Sequence, residues 1–142
     1  MNSVFLDTDV VLDLYVRREP HHEVALRLFT YLKQTKTRCY ISAVVIANTY
    51  YMLAKIENAR YALDKMRKLR QLVSVAPLNE SIIDAALSFP HRDFEDSIQF
   101  QCAIHNSIGT LITRNTRDYP KDQLRVTDPI QFLSAEALEK KG

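Results

Sequence analysis

Glycine, cysteine and tryptophan are scarce in this 142-residue chain, which has two glycines, two cysteines and no tryptophan. With only Gly109 and Gly142, a glycine-rich phosphate-binding loop is excluded. Cys39 and Cys102 match no metal-ligand spacing, so buried free thiols in a reducing compartment are expected. No apolar run approaches the roughly 20 residues that a spanning helix needs, and the start, residues 1–6, is too short for a signal-peptide core. A soluble, cytoplasmic protein without a membrane partner is therefore expected.

The composition is typical of one ordinary globular domain covering residues 1–142, because 46% of the residues are hydrophobic and 25% are charged. The formal net charge of +2 predicts no class of partner by itself. Residues 60–70 form a basic stretch that contains a single acidic residue, Asp64. A solvated helix face is the simpler interpretation of that stretch, and binding of a polyanion such as RNA is the alternative.

The pattern of apolar residues predicts strands that alternate with helices. Strands are expected at residues 3–6, 39–41, 73–76, 110–112 and 125–126. Helices are expected from residue 7, from Pro20, at 43–56, at 59–72, at 79–87 and at 93–106, with a final turn or two from Pro129. Ser42, Asn79 and Asp93 are expected as N-caps, residues 90–92 as a break in the chain, and Gly109 as a helix end. This alternation predicts an α/β fold with a mostly parallel sheet of four or five strands and helices on both faces.

Four aspartates lie where a parallel sheet gathers side chains, beyond the carboxyl ends of its strands. Asp7 directly follows the first strand, Asp93 and Asp96 open the helix before the fourth strand, and Asp118 lies in the loop after it. Asp93 and Asp96 are three residues apart and should share a helix face, whereas Glu95 is expected to point away from it. Carboxylates at close range repel one another unless a cation lies among them, and hard oxygen ligands suit Mg²⁺ or Mn²⁺.

A carboxylate site of this kind suits phosphodiester hydrolysis without a covalent enzyme intermediate, because its ions stabilise the attacking and leaving oxygens. Taken singly, each aspartate is equally well explained as a helix cap or a turn residue. Their joint placement favours the metal site. Structural or surface roles are expected for the four histidines, His21, His22, His91 and His105. For the pair Tyr50 and Tyr51, core packing is the default interpretation and base stacking the alternative.

Four segments of the chain resemble, in order, the motifs of PIN domains. Residues 4–13 resemble the family's opening strand, which ends in Asp-Thr-Asp, and residues 41–43 lead to the position of its second acid. Residues 93–99 resemble the segment of the third acid, which falls on Asp96. Residues 111–119 resemble the closing motif, which places its acid on Asp118. Each motif alone is weak, but the four in sequence are fairly specific.

The resemblance implies a three-layer α/β/α sandwich and RNA cleavage that depends on Mg²⁺ or Mn²⁺. It makes Asp7, Asp96 and Asp118 the catalytic residues and metal ligands, and Asp93, from its place beside Asp96, is expected as a further metal ligand. The polar side chains that it implies around this centre are Thr8, Asn48, Thr113 and Asn115. The candidate RNA contacts are Arg114, Arg117, Lys65 and Lys68. Many bacterial proteins that the chain resembles are VapC-like toxins, which a cognate antitoxin holds inactive and which often form dimers.

The chain departs from the family at Asn48, where a glutamate is usual. An amide carries no charge and should weaken metal binding, although Asp93 adds a carboxylate that many PIN domains lack. The chain resembles a subgroup that carries this asparagine. Two alternatives stay open: a non-catalytic module that binds RNA or protein, which Asn48 favours, and a phosphatase of the haloacid-dehalogenase type that uses Asp7 and Asp9.

Overall fold

The structure is a computed structural model and describes residues 2–88 and 93–141. In this part of the chain the strands are β1 (Ser3–Leu6), β2 (Arg38–Ile41), β3 (Ser74–Val75), β4 (Thr110–Ile112) and β5 (Arg125–Thr127). The α-helices are α1 (Thr8–Tyr15), α2 (His21–Gln34), α3 (Ala43–Ile56), α4 (Ala59–Leu72), α5 (Glu80–Ser88), α6 (Phe94–His105) and α7 (Pro129–Lys141). A 3₁₀ turn covers Thr116–Asp118.

The five strands form one sheet in the order β3-β2-β1-β4-β5, and every neighbouring pair is parallel. β1 is therefore the central strand. β2 and β3 are added on one side of it and β4 and β5 on the other, so the strand order reverses between β1 and β4. Side chains of a strand alternate between the two faces, and β1 follows this rule. Val4 and Leu6 join one hydrophobic cluster, whereas Phe5 joins the other. The expected α/β sheet with both faces covered is confirmed.

The helices divide between the two faces of the sheet. The cluster around Val4 and Leu6 draws its other members mainly from α1, α2, α3, α4 and α7. The cluster around Phe5 contains residues of α5 and α6, among them Ile82 and Phe100. The result is three layers, with the sheet in the middle. Because β1 and β4 are buried on both sides, they are short apolar runs rather than alternating ones.

Most of the predicted elements are confirmed, and three details differ. β3 is shorter than residues 73–76, because Val73 is the C-cap of α4, with its N–H bonded to the carbonyl of Leu69, and among the described residues only one backbone hydrogen bond, from Ala76 to Ile41, follows the strand. The residue with a left-handed backbone after α6 is Ser107, at φ 57°, and not Gly109. α7 has 13 residues rather than a turn or two. Phe132, in the first turn of α7, packs edge-on against Tyr31 of α2, with ring centroids 6.0 Å apart. The break expected at residues 90–92 lies outside the described residues.

The two cysteines are free and buried, as expected. Burial raises the pKa of the Cys39 thiol to about 12 and that of the Cys102 thiol to about 11, and a hydrogen bond from Asn106 opposes the second shift. Both thiols therefore stay protonated at neutral pH and act as small apolar groups. Among the described residues, none of the helices has the length and apolar character needed to cross a membrane.

Candidate functional site

The site begins at Asp7, the first residue after the central strand. Its Oδ1 accepts a hydrogen bond of 2.7 Å from the backbone N–H of Thr8, so Asp7 is the N-cap of α1. Its own backbone N–H donates to the carbonyl of Ile112, on β4, at 3.0 Å. The helix-cap explanation is thus correct for Asp7, and the same carboxylate also lines the crevice at the end of the sheet. The strand ladder fixes its backbone and the cap fixes one of its carboxylate oxygens.

The other carboxylate oxygen of Asp7 is held by two hydroxyl groups. Leu6 is paired with Ile112 in the sheet. The residues that follow them, Asp7 and Thr113, therefore lie side by side. Thr113 Oγ1 donates to Asp7 Oδ2 at 2.8 Å, and the Tyr119 hydroxyl donates to the same oxygen at 2.9 Å. Asp7 is only 6% exposed. Its carboxylate is therefore fixed in one orientation by groups from two different segments.

Tyr119 connects the two principal aspartates. Its ring stacks on Phe100 of α6, with centroids 6.1 Å apart, and its hydroxyl hydrogen-bonds to both Asp7 and Asp96. Burial first, and then the negative charges of Asp7 and Asp96, raise the pKa of Tyr119 far above its usual value. The phenol therefore stays neutral, and its single O–H donates to one of the two carboxyl groups at a time.

Asp96 lies in the first turn of α6 and faces Asp7 across this phenol. Burial raises the pKa of Asp96 to about 6, the charge of Asp7 adds to this, and the hydrogen bond from Tyr119 opposes it. The charges of Asp93 and Asp118 make smaller contributions in the same direction. The N-cap predicted at Asp93 is confirmed, since its Oδ1 accepts from the backbone N–H of Glu95 at 2.8 Å. Asp96 thus lies within the electrostatic reach of three other carboxylates.

Asp9, the second residue of α1, is a further carboxylate near Asp7. Its Oδ2 accepts from the backbone N–H of Arg114 at 3.2 Å and from Thr113 Oγ1 at 3.5 Å. Its Oδ1 is buried, and no group in residues 2–88 or 93–141 hydrogen-bonds to it. Burial, followed by the charge of Asp7, raises the pKa of Asp9 despite the opposing charge of Arg114. A buried carboxylate oxygen without a donor favours the neutral acid unless a cation approaches it.

Asn48, at the position where the family usually has a glutamate, makes a hydrogen bond across the site. Its side-chain N–H donates to the carboxylate of Glu95 at 2.8 Å and so joins α3 to α6 at the mouth of the site. Glu95 was expected to point away from the helix face that Asp93 and Asp96 share, but it lines the same crevice as both of them. Asp93 is the N-cap of α6 and precedes its first turn. Glu95 lies within that turn, and its carboxylate is the one that contacts α3. One layer deeper, Ser42 donates to Gln99 at 2.6 Å and holds the same two helices together.

These groups line one crevice of about 510 Å³ at the carboxyl end of the sheet. Its lining residues are Asp7, Thr8, Asp9, Leu12, Asn48, Tyr51, Met52, Asp93, Glu95, Asp96, Gln99 and Asn115. Of the predicted site residues, Thr113 lies behind Asp7 as its hydrogen-bond donor rather than on this lining. Asp118 lies in the 3₁₀ turn, where its carboxylate accepts a short hydrogen bond from Asn115. It influences Asp96 electrostatically rather than by contact along the crevice wall.

The four candidate RNA contacts lie in different parts of the structure. The Arg114 guanidinium forms an ion pair with Asp13 of α1, with 2.8 Å between Nε and Oδ2, and Asp13 is almost fully buried. Lys65 lies over the rings of Tyr15 and Tyr61, and Lys68 pairs with Asp64 on the same helix at 3.3 Å. Neither lysine is among the residues that line the crevice. Arg117 is exposed on the 3₁₀ turn.

The donor set suits a hydrated Mg²⁺ or Mn²⁺ ion. In the described ranges, no three His, Cys, Asp or Glu side chains are close enough together to hold one ion by themselves. A closed protein cage is therefore not built here. Mg²⁺, however, usually keeps several waters and binds through only one or two carboxylates. The facing carboxyl groups of Asp7 and Asp96 fit that kind of site, and Asp9 adds a further carboxylate beside Asp7.

Tyr119, Asp9 and Glu95 were not predicted from sequence as part of the site, and neither were Leu12, Met52 and Gln99 of the crevice lining. Tyr119 ends the closing motif directly after Asp118, so its place in the motif was a usable signal. Asp9 follows Asp7 by two residues, and this Asp-Thr-Asp spacing was interpreted as support for the phosphatase alternative. His21, His22 and His105 are not among the residues that line the crevice, and His91 lies outside the described residues.

Together, the parallel three-layer fold and the acidic crevice at the end of its central strand define a class of α/β proteins with carboxylate sites. Within that class, the chain belongs to the PIN domain family, whose sequence profile matches residues 3–117. Ribonuclease VapC1 of Aquifex aeolicus (strain VF5) is 23% identical over 129 residues, which cover 86% of this chain and 89% of that protein.

Solved structures of similar proteins share the fold. VapC20 of Mycobacterium tuberculosis, a sarcin–ricin loop cleaving toxin, has a TM-score of 0.63 and 19% identity, and the match covers 84% of this chain and 91% of that one. VapBC2 from Rickettsia felis, solved with a DNA fragment from its promoter, has a TM-score of 0.67 and 14% identity, with 89% and 98% covered.

Proposed function

We propose that this chain is a Mg²⁺- or Mn²⁺-dependent endoribonuclease that hydrolyses phosphodiester bonds of RNA. The observation that supports this most is the arrangement of Asp7, Asp9 and Asp96, three buried or half-buried carboxylates at the end of the central strand. Their mutual repulsion and the donor-less oxygen of Asp9 create a demand for a cation. The name of the Aquifex relative and the description of VapC20 support RNA as the substrate class.

In this proposal Asp7 and Asp96 hold the ion directly, while Asp93 and Asp118 add negative charge around it. An ion held there would supply positive charge that attracts a phosphate and lowers the pKa of water near it. The hydroxyls of Thr113 and Tyr119 keep the Asp7 carboxylate in one orientation while the substrate enters. In the hydrolysis itself, a water oxygen forms a bond to phosphorus, the bond from phosphorus to one ribose oxygen breaks, and the departing oxygen takes up a proton.

We further propose that the chain is the toxin of a toxin–antitoxin pair. The support is its similarity to VapC proteins, two of which were solved as VapBC complexes on DNA. A small antitoxin-like reading frame next to the gene is expected. If it is present, co-expression of its product should suppress both growth inhibition and RNA cleavage by this chain.

The first test is a cleavage assay on the purified protein. End-labelled single-stranded RNA is incubated with Mn²⁺ or Mg²⁺, with and without a chelator, and the end groups of the products are identified. We expect metal-dependent internal cleavage that the chelator abolishes. RNA binding without cleavage at any metal concentration would instead establish the non-catalytic module. Phosphate release from a phosphomonoester through an aspartyl-phosphate would establish the phosphatase.

Asn48→Asp is expected to change stability in opposite directions with and without metal. Without metal, the substitution removes the hydrogen bond to Glu95 and sets two like charges face to face, which should cost about 0.5–1 kcal/mol at this exposed contact. With Mn²⁺, the added carboxylate should give a larger rise in Tm than the wild type shows, because the ion binds only the folded state. Thermal unfolding with and without Mn²⁺ measures both effects.

The matched control is Asn58→Asp, because Asn58 caps α4 outside the crevice and aspartate caps a helix equally well. It should change neither the Tm nor its response to Mn²⁺. A smaller Mn²⁺ response in Asn48→Asp than in the wild type would show that residue 48 takes no part in metal binding.

A further inference from the structure

We propose that Tyr51 is a base-stacking residue, which holds an unpaired nucleobase of single-stranded RNA at the mouth of the crevice. The inference rests on the proposed ribonuclease function and adds to it a contact with the bases. Of the two interpretations open for the tyrosine pair from sequence, it assigns core packing to Tyr50 and base stacking to Tyr51.

The first observation is the contrast between the two neighbouring rings. Tyr50 is half-buried and packs against the core cluster, whereas Tyr51 is 73% exposed. The two rings touch edge to face, with centroids 6.1 Å apart and planes at 73°. Tyr50 therefore supports Tyr51 from the core side, while the rest of the Tyr51 ring stays available to a flat ligand. A supported aromatic side chain loses little conformational entropy on binding.

The second observation is the position of Tyr51 in the crevice. It lines the same 510 Å³ space as Asp7 and Asp96. Asn48, Tyr51 and Met52 follow one another at helical spacing and all line this space, so they form one face of α3. The hydrogen bond from Asn48 to Glu95 fixes that face against α6. Tyr51 is thus one helical turn from the carboxylate rim.

The third observation is the charge of the crevice, which selects the chemistry of the ligand. Among the described residues, its lining carries the carboxylates Asp7, Asp9, Asp93, Glu95 and Asp96 and neither lysine nor arginine. This part of the lining attracts a phosphate only where an ion is bound, so a contact that does not depend on charge is needed there to hold a polyanionic substrate. A stacked base supplies such a contact, and every base has a flat face, so the contact requires no particular sequence.

A single-tryptophan variant tests the contact directly, because the natural chain contains no tryptophan. Tyr51→Trp places the only indole of the protein at the proposed stacking position. Its fluorescence is measured in a buffer that contains Ca²⁺ in place of Mg²⁺ or Mn²⁺. One titration uses single-stranded RNA of about ten nucleotides, and a second uses an abasic oligomer that has the same number of phosphates. We expect quenching by the RNA and little or no quenching by the abasic oligomer. Equal quenching by both would overturn the proposal.

Removal of the ring tests its contribution to substrate binding. Tyr51→Ala is expected to raise KM or the Kd for single-stranded RNA about 5- to 150-fold, which corresponds to about 1–3 kcal/mol for one stacked base. The slope of log Kd against log salt should stay unchanged, because no phosphate contact is lost. Tyr51→Phe should bind as the wild type does. Leu63→Ala, which trims a 45%-exposed apolar residue of α4 outside the crevice, should have no effect.

Failure of this inference is distinguishable from failure of the proposed function. If the wild type cleaves RNA and Tyr51→Ala leaves KM and Kd unchanged, the stacking role is wrong and the ribonuclease stands. If the wild type never cleaves but Tyr51→Trp is quenched by RNA and not by the abasic oligomer, the stacking role stands. A loss of self-association in Tyr51→Ala, with RNA affinity unchanged, would make Tyr51 part of a contact between copies of the chain.

Discussion

Asp7→Asn is expected to abolish metal-dependent RNA cleavage almost completely, with a loss of at least about 100-fold. Loss of a partner that merely supports a metal ligand typically costs about 10–100-fold, and Asp7 is proposed as a ligand itself. The substitution keeps the shape of the side chain and removes its charge. It also places an amide N–H2 in a pocket where Thr8, Thr113 and Tyr119 all donate hydrogen bonds, so one donor must lose its acceptor.

The stability of the metal-free protein should change much less than its activity. Loss of an acceptor is unfavourable by about 1 kcal/mol, but the repulsion that Asp7 exerts on Asp9 and Asp96 disappears. For the same reason the pKa of Asp96 should fall from about 6 towards its ordinary value, because the charge of Asp7 is one cause of its rise. The increase in Tm that Mn²⁺ produces in the wild type should be lost.

Single-turnover cleavage rates and thermal unfolding with and without Mn²⁺ measure these effects. The matched control is Asp84→Asn, which removes the same charge from an exposed position on α5. It should cleave RNA at the wild-type rate. Retention of cleavage within a factor of a few in Asp7→Asn would show that the catalytic centre lies elsewhere.

Arg114→Ala is expected to destabilise the fold by about 2–3 kcal/mol at pH 7. Removal of one partner of a buried ion pair typically costs about 3–5 kcal/mol because the other charge is left buried and unpaired. Here Asp13 is the buried partner, at 2% exposure, while the Arg114 side chain is 31% exposed, so a loss slightly below that range is expected. A contribution of this size is not expected of an arginine whose main role is to contact RNA.

The loss should depend on pH in a defined direction. Burial already raises the pKa of Asp13, and Arg114 opposes that shift. Without Arg114 the folded-state pKa should rise further above the unfolded value. A carboxyl group with a raised folded pKa favours folding at low pH, and this contribution is lost as the pH rises through the folded pKa. The destabilisation by Arg114→Ala should therefore be smaller at pH 5 than at pH 8.

Chemical denaturation at the two pH values tests this, with Arg117→Ala as the control because Arg117 is an exposed arginine in the same loop. Addition of Asp13→Asn to Arg114→Ala should restore part of the lost stability, since the unpaired charge is then removed. Equal destabilisation by Arg114→Ala and Arg117→Ala would mean that the pair with Asp13 contributes nothing measurable.

The sequence alone determined most of the helices and strands, and it predicted that Asp7, Asp93 and Asp96 would lie at the same edge of the sheet. Short apolar runs such as Ser3–Leu6 and Thr110–Ile112 indicate buried strands, and Ser42, Asn79 and Asp93 are caps because their side chains accept backbone N–H groups of the next turn. These are local effects, and local effects are visible in sequence. The position of Asp7 after the first strand was sufficient to predict it as a site residue, since the ends of parallel strands meet at one edge.

Only the tertiary structure decided how those residues meet. The hydroxyl of Tyr119 reaches Asp7 and Asp96 because β1 and β4 are neighbours and the segment after β4 folds back over their ends. Glu95 turns to α3 because Asn48 is there to donate to it. Arg114 lies against Asp13 rather than in the crevice, because a buried carboxylate binds the nearest cation. Contacts between residues about 50 to 110 positions apart depend on strand order and helix packing, and no local pattern encodes them.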